Sequence, residues 1–306
     1  LHNIVRLALQ DQILPFYVSF KSFTLEKIFL YDGIIRIIRK VGEDVKYALY
    51  QMDIIAGEPE ANRQKVRSWV ERTVQEEKPD LIVLPEMWTT AYTLPQLKDV
   101  ADQNGEPTLS FLKELAKEFG IHIIGGSVAN QVDERIYNTA IVVNKEGELV
   151  HTYNKIHLVP MLNEPAYLDG GEESVQVFEL DGIKMGVLIC YDLRFPEVSR
   201  QLALAGVQVL HVVAEWPSAR REHWKTLLQA RAIENQMYVV SCNRVGAYDG
   251  TEFAGTSMFI DPWGTCHAIG DVQEEETIRG ALQLDEVPRI REEVPVFKSR
   301  VPNLYK

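Results

Sequence analysis

The sequence predicts an α/β domain of stacked layers. Three observations carry that prediction. Short runs rich in Val, Ile and Leu recur along most of the chain and are too brief to be helices. Segments with apolar residues at helical spacing alternate with them. From about residue 45 onward no internal repeat and no low-complexity linker interrupts the alternation.

The chain has 306 residues, 46% apolar and 25% charged, enough to bury a sizeable core. Its net charge of −12 argues against a nucleic-acid or anionic-membrane surface, either of which needs a basic patch. An anionic small molecule stays open, because a pocket can be locally positive. The three cysteines, Cys190, Cys242 and Cys266, are widely spaced and form no disulfide framework, which suits a reducing, cytoplasmic setting. The seven histidines are scattered, with neither HExxH nor CxxC, so no metal site is expected. No uncharged apolar run approaches the roughly 18 residues of a membrane span. Ile13 to Phe20 is apolar but lacks a basic lead-in and a small-residue cleavage site, so it is not read as a signal peptide.

Residues 1–44 stand apart. They mix aromatic and β-branched residues without a sustained period. Ile34 to Lys40 is a basic-apolar patch, read either as a short amphipathic helix for a membrane surface or partner, or as part of a non-essential extension. The first methionine is Met52, which raises the hypothesis that this stretch derives from upstream of the native start. Mass spectrometry of the natively expressed protein tests it. A single α/β domain is expected at 45–306.

Within that domain, Tyr47 to Met52 reads as a strand and Pro59 to Gln75 as a helix with Val66, Val70 and Val74 on one face. Asp80 to Pro85 is a continuous apolar strand that stops at Glu86. Pro107 to Phe119 is a helix turning Leu109, Leu112, Leu115 and Phe119 inward, and Ile121 to Gly125 a strand. Tyr137 to Asn144 and Glu148 to Tyr153 form a hairpin across Lys145-Glu146-Gly147, and Val175 to Leu180 and Lys184 to Ile189 a second across Asp181-Gly182. Glu197 to Ala205 is a helix ended by Gly206. A strand at Val207 to Val213, a helix at Arg221 to Gln236 and a strand at Tyr238 to Cys242 follow. Ala254 to Ile260 is a strand closed by the turn sequence Asp261-Pro262-Trp263-Gly264. Thr277 to Leu284 is the last strand, and the final twenty residues read as a Pro- and charge-rich tail.

The stretch Gly186 to Glu197 organises the chemistry. A buried strand ends in Cys190, a turn follows, and Pro196 and Glu197 open a helix. A cysteine between a strand end and a helix N-terminus sees outward-pointing N–H groups, a field expected to favour thiolate. Glu86 and Lys155 also stand at strand ends, where sites in α/β sheets gather. Such a trio can carry out acyl transfer on an amide. A carboxylate takes the thiol proton and later hands it to a leaving amine. The ammonium stabilises the tetrahedral oxyanion together with the Tyr191 N–H. Thioester formation, ammonia release and hydrolysis follow, with no cofactor required.

Leu84-Pro85-Glu86-Met87-Trp88, Tyr153-Asn154-Lys155-Ile156-His157-Leu158 and Cys190-Tyr191-Asp192-Leu193-Arg194-Phe195-Pro196-Glu197 resemble, in order, the three signature segments of the nitrilase superfamily of carbon–nitrogen hydrolases. The resemblance runs from about Tyr47 to Lys306. It implies a four-layer α-β-β-α sandwich and a homodimer or larger homo-oligomer joined through faces near the nucleophile helix. It also implies Glu86 as general base, Lys155 as oxyanion stabiliser and Cys190 as nucleophile. Glu164, soon after the lysine, falls where many members carry a second glutamate, which would orient Lys155 or the substrate amine.

The sequence around Cys190, with Trp216-Pro217-Ser218-Ala219-Arg220 and Gln229 to Gln236 downstream, is similar to the bacterial omega-amidase-like branch. That branch implies a 2-oxo acid omega-amide, 2-oxoglutaramate or 2-oxosuccinamate. The alternatives are another amide or N-carbamoyl hydrolase of the same branch, such as a deaminated-glutathione amidase, or a non-catalytic binding protein. One departure is Glu215, where that branch is expected to carry Asn before the Trp-Pro pair. A substrate carboxylate calls for a cation, with Arg194, Arg220, Arg221 and Arg244 as candidates and Arg220 preferred. Trp88, Tyr92 and Trp216 are expected to wall the pocket.

Overall fold

The computed structural model describes residues 16–17, 27–31, 34–37 and 44–305. Two compact units divide the chain, 1–43 and 44–306. In the first, Phe16–Tyr17, Lys27–Tyr31 and Ile34–Ile37 form an antiparallel sheet, with Phe16 opposite Ile28 and Leu30 opposite Ile35. The amphipathic-helix reading of Ile34 to Lys40 is therefore corrected at Ile34–Ile37, where an isoleucine-rich run favours the pleated strand. Residues 38–40 lie outside the described residues, as does most of the rest of the expected extension.

The second unit is built on two sheets. One runs in the order Glu276–Leu282, Val45–Gln51, Leu81–Val83, His122–Val132, Arg135–Val143, Leu149–Asn154, with Asp102–Gln103 paired off His122–Val132. The other runs Phe178–Leu180, Ile183–Ile189, Val209–Ala214, Tyr238–Asn243, Met258–Ile260, Cys266–Ile269. In each, the central strands are parallel and the outer ones antiparallel.

Alternation of side chains along a strand dictates the layering. On Val45–Gln51, Tyr47 points at the second sheet, where its ring meets His211 at 5.8 Å and Phe259 at 5.9 Å. Its neighbours Ala48 and Tyr50 point the opposite way, into a cluster with Val66, Trp69 and Val70 of the helix Pro59–Glu76 and Leu112 and Leu115 of the helix Thr108–Phe119. On the far side, the helices Pro196–Leu204 and Arg221–Asn235 bury Val198, Leu202, Trp224 and Leu228. Leu202 lies so close over Gly186 that an added Cβ would sit 2.9 Å from it. Each fully buried aliphatic side chain stabilises by about 1.5–3 kcal/mol. The result is the α-β-β-α sandwich.

Several boundaries differ from expectation, three of them with a clear physical reason. The strand expected to stop at Gly125 runs on to Val132, because Gly125-Gly126 forms a bulge with a register shift between Ile124 and Ser127. Gly126 has φ +60°, and a Cβ there would fall 2.0 Å from the Pro85 carbonyl. The strand expected from Ala254 is confined to Met258–Ile260, and the backbone of Ala254 and Gly255 instead bonds to Trp216 and Arg244. The expected tail contains a helix, Glu286–Glu293, which buries Val287 and Ile290. Its proline, Pro288, sits in the first turn, where no intrahelical N–H bond is lost.

Candidate active site

Glu86 follows the strand Leu81–Val83 and is set by the bulge beneath it. The Ser127 N–H donates to the Pro85 carbonyl at 3.1 Å, and the Met87 N–H donates to Ser127 Oγ at 3.0 Å. The Glu86 carboxylate is fully buried and fully bonded. Its Oε1 accepts from Lys155 Nζ at 2.9 Å, Tyr92 OH at 2.7 Å and Asn138 Nδ2 at 2.8 Å, while Oε2 accepts from the Glu215 N–H at 2.7 Å.

Lys155 leaves the edge strand Leu149–Asn154, its N–H bonded to the Asn138 carbonyl at 2.9 Å. Its buried ammonium reaches Glu164 Oε1 at 2.8 Å as well as Glu86. Burial pulls the lysine pKa down, but the two carboxylates outweigh it and leave it above the ordinary value. Lys155 is thus a fixed cation. Glu164 sits in the turn Glu164–Ala166, with Oε2 held by the Val159 N–H at 2.7 Å. Tyr92 bridges the two glutamates, its phenolic proton facing Oε1 of both, and accepts from Lys155 at 3.1 Å. Burial foremost, then Glu164 and Glu86, keep Tyr92 a phenol.

Cys190 ends the strand Ile183–Ile189 and adopts φ +47°, a left-handed conformation uncommon for a residue with a Cβ. Asp192 pins this turn. Its Oδ2 accepts the Ile189 N–H at 3.2 Å and Tyr153 OH at 2.8 Å. The sulfur lies in the fields of Glu86, Lys155 and Glu164. Burial first, then the Glu86 charge, push the Cys190 thiol well up. The helix-end field expected to favour thiolate therefore does not prevail. The resting sulfur keeps its proton and has a carboxylate beside it to receive it.

A cavity opens on Cys190, lined by Tyr191, Arg194, Glu215, Trp216, Arg220 and Met161 among others. Arg194 stacks over Trp216 at 4.6 Å and over Tyr191 at 5.7 Å. Among the described residues neither Arg194 nor Arg220 is ion-paired with a carboxylate; Asp192 pairs with His157 instead. Arg244, by contrast, is buried and paired with Glu215 and Asp53. Trp216, expected as a pocket wall, and Tyr191 both line this cavity. Trp88 is corrected: it lies in the helix-side core against Phe111, its Nε1 donating to the Gly125 carbonyl at 2.8 Å. Tyr92, expected only as a wall, is part of the charged cluster.

Residues 46–292 match the model of the carbon-nitrogen hydrolase family. The chain belongs to that family. The carbon–nitrogen hydrolase is 44% identical over 255 residues to a 2-oxoglutaramate amidase of Bacillus subtilis, covering 83% of this chain and 97% of that one. It is 32% identical to an omega-amidase of Saccharomyces cerevisiae, covering 87% and 96% of the two chains. Its fold matches the crystal structure of a Saccharomyces cerevisiae member of branch 10 of the nitrilase superfamily with a TM-score of 0.78 at 30% identity, covering 86% of this chain and 99% of that one. No helix among the described residues is long and apolar enough to cross a membrane.

Sequence reasoning missed three parts of the carbon–nitrogen hydrolase site. Asn138, mid-strand in Arg135–Val143, gives no signal in its neighbours yet donates to Glu86. The Glu215 N–H acts through the backbone, which residue identity does not report. Asp192, which the sequence shows only as one residue of the segment after Cys190, anchors the nucleophile turn. Its place two residues after a strained nucleophile, where a short carboxylate can bond back to the chain, was the signal available.

Proposed function

We propose that this enzyme is an omega-amidase that hydrolyses the terminal amide of a small 2-oxo acid, with 2-oxoglutaramate or 2-oxosuccinamate as substrate. The observation that carries the reading is the Lys155 ammonium held between Glu86 and Glu164, fully buried, beside the Cys190 thiol. Attack of Cys190 Sγ on the amide carbon passes the thiol proton to Glu86. The oxygen of the tetrahedral adduct takes its negative charge toward Lys155 and the Tyr191 N–H. Glu86 returns the proton to the amine nitrogen, the C–N bond breaks, and ammonia leaves a thioester. Water then attacks the thioester carbon, giving its proton to Glu86. The C–S bond breaks, the acid is released, and the proton goes back to sulfur. Glu164 and Tyr92 hold Lys155 in place throughout.

The substrate class rests on Arg194 and Arg220, two cations in the cavity that opens on Cys190 that have no carboxylate partner among the described residues, and on the likeness to a 2-oxoglutaramate amidase. Ammonia release from 2-oxoglutaramate, measured for the wild type and Cys190→Ala, tests the reading. Activity in the first and none in the second is expected. Equal rates would reject it, and a thioester on Cys190 seen by mass spectrometry separates an enzyme from a binding protein whatever the amide.

The enzyme is further inferred to be a cytoplasmic homodimer. Its free cysteines suit a reducing compartment. Leu204 and Ile233, on the two helices of the outer layer beside the nucleophile, are exposed apolar residues of the kind subunit contacts cover. Analytical ultracentrifugation showing a monomer at micromolar concentration would reject the dimer. Residues 1–44 are proposed to lie outside the catalytic unit.

A further inference from the structure

Glu215 has a side chain to which the reaction above gives no task. It is fully buried at the end of the strand Val209–Ala214 and lines the cavity with Cys190, Arg194, Trp216 and Arg220. Its Oε2 accepts one bond, from Arg244 Nη1 at 3.1 Å, while Oε1 is shielded from solvent and has no hydrogen-bond partner among the described residues. Buried polar atoms are almost always paired, and an orphan lining a substrate cavity points to a ligand.

Arg244 compensates Glu215 only in part, because its guanidinium is shared. It also donates to Asp53 Oδ1 at 3.1 Å, the Ile54 carbonyl at 3.2 Å and the Val245 carbonyl at 2.8 Å, and lies 4.4 Å from the Phe253 ring. The other charged and titratable groups around the site are Glu86, Glu164, Lys155, Tyr92 and Cys190, with Arg194 and Arg220 across the cavity. Lys155 is already divided between two carboxylates, so a third negative charge beside them is opposed. Burial above all raises the Glu215 pKa to about 8, with Arg244 pulling it down and Glu86 pushing it up. At neutral pH the group is mainly the carboxylic acid. Since Oε2 accepts from Arg244, the proton belongs on Oε1.

We propose that Glu215 is a specificity-determining residue whose Oε1–H donates a hydrogen bond to an acceptor oxygen on the acyl side of the substrate. The proposal rests on the substrate class argued above and deepens it. A 2-oxo acid amide offers two kinds of acceptor there, the 2-oxo group and the carboxylate. A 2-amino acid amide such as glutamine instead presents an ammonium donor at C2, which a donating Glu215 cannot pair. With the 2-oxo group as acceptor, the residue favours the keto form over the amino form; with the carboxylate as acceptor, it favours acidic over uncharged amides.

The test is kcat/KM for ammonia release from 2-oxoglutaramate, glutaric acid monoamide and pentanamide, with wild type, Glu215→Ala and Glu215→Gln. Dividing by the pentanamide value removes any loss the substitutions cause by disturbing Glu86. Glu215→Ala is expected to lower the ratio for 2-oxoglutaramate at least roughly tenfold, mainly through KM. Glu215→Gln, neutral and still a donor, is expected to rescue it to within about threefold of wild type. If glutaric acid monoamide falls alongside, the carboxylate is the acceptor; if not, the 2-oxo group is. The wild-type ratio should also decline as pH rises through about 8, and that of Glu215→Gln should not. A ratio unmoved by Glu215→Ala, or lost equally in Glu215→Gln, overturns the proposal. Should Glu215→Ala fail to fold, the pH comparison between wild type and Glu215→Gln decides alone. Wild-type hydrolysis of pentanamide without any of 2-oxoglutaramate would overturn the substrate class itself, and this assignment with it.

Discussion

Asp192 binds His157 twice: its Oδ1 accepts the His157 N–H at 3.1 Å and lies 2.8 Å from the ring Nδ1. The same carboxylate accepts from Ile189 and Tyr153. It therefore ties the segment carrying Lys155 to the turn carrying Cys190. His157 in turn stacks on Phe195 at 3.6 Å, so the ring is held on two sides. Asp192→Ala leaves the buried donors without an acceptor and should destabilise by about 3 kcal/mol. Chemical denaturation reads that loss, and kcat should fall more than KM rises, because reacting groups rather than substrate contacts are displaced. An unchanged kcat would show that Asp192 has no part in positioning.

Tyr92→Phe removes the hydroxyl shared by Glu86 and Glu164. A hydrogen bond to a charged group contributes about 1.5–3 kcal/mol, so kcat should drop roughly 10- to 100-fold. Circular dichroism should show the fold retained. Activity within twofold of wild type would mean that Lys155 alone orders the two carboxylates.

Arg220→Ala and Arg194→Ala separate the two cavity cations. Whichever binds the substrate carboxylate should raise KM for 2-oxoglutaramate by roughly tenfold or more with little change for an uncharged amide. Arg220 is the preferred residue. Arg194 lies over the Trp216 ring, and its loss should also soften that wall. A KM unaffected by both substitutions would remove the basis for an anionic substrate.

Acid stability should carry the signature of His211. The ring is buried between the sheets near Tyr47 and Phe178, and burial lowers its pKa from 6.5 to about 4. Above pH 6.5 the imidazole is neutral folded or unfolded, and it costs nothing. Between 6.5 and 4 the unfolded chain takes up a proton that the folded chain refuses, so stability falls with pH across that window by roughly 3 kcal/mol. Urea melts from pH 4 to 7 measure this slope, and His211→Phe should flatten it.

Removal of residues 1–43 should leave kcat/KM within about twofold, because every group in the site comes from the second unit. A truncated enzyme that folds but has lost activity would give the extension a catalytic role.

The fold was legible because its strands are continuous apolar runs and its helices keep a clear inward face. Glu86, Lys155 and Cys190 were legible because strand ends and local motif mark them. Boundaries failed where a rule of thumb met tertiary context. A Gly-Gly pair read as a stop is a bulge that seats Pro85, and a Pro-containing tail holds a helix because its proline lies in the first turn. Asn138 and the Glu215 N–H escaped because what they do depends on neighbours 52 and 129 residues away. The thiolate expectation failed because a local dipole argument omits the desolvation that only the packed molecule reveals.

Glu86 and Lys155 descend from the seven-stranded sheet, Cys190 and Glu215 from the six-stranded one. The bond from the Glu215 N–H to Glu86 crosses between them. Neither sheet alone carries the complete reaction centre, so a folding intermediate with one sheet formed lacks either the nucleophile or its base. Turnover becomes a report that docking of the halves is complete, and refolding monitored by ammonia release should lag behind refolding monitored by secondary structure.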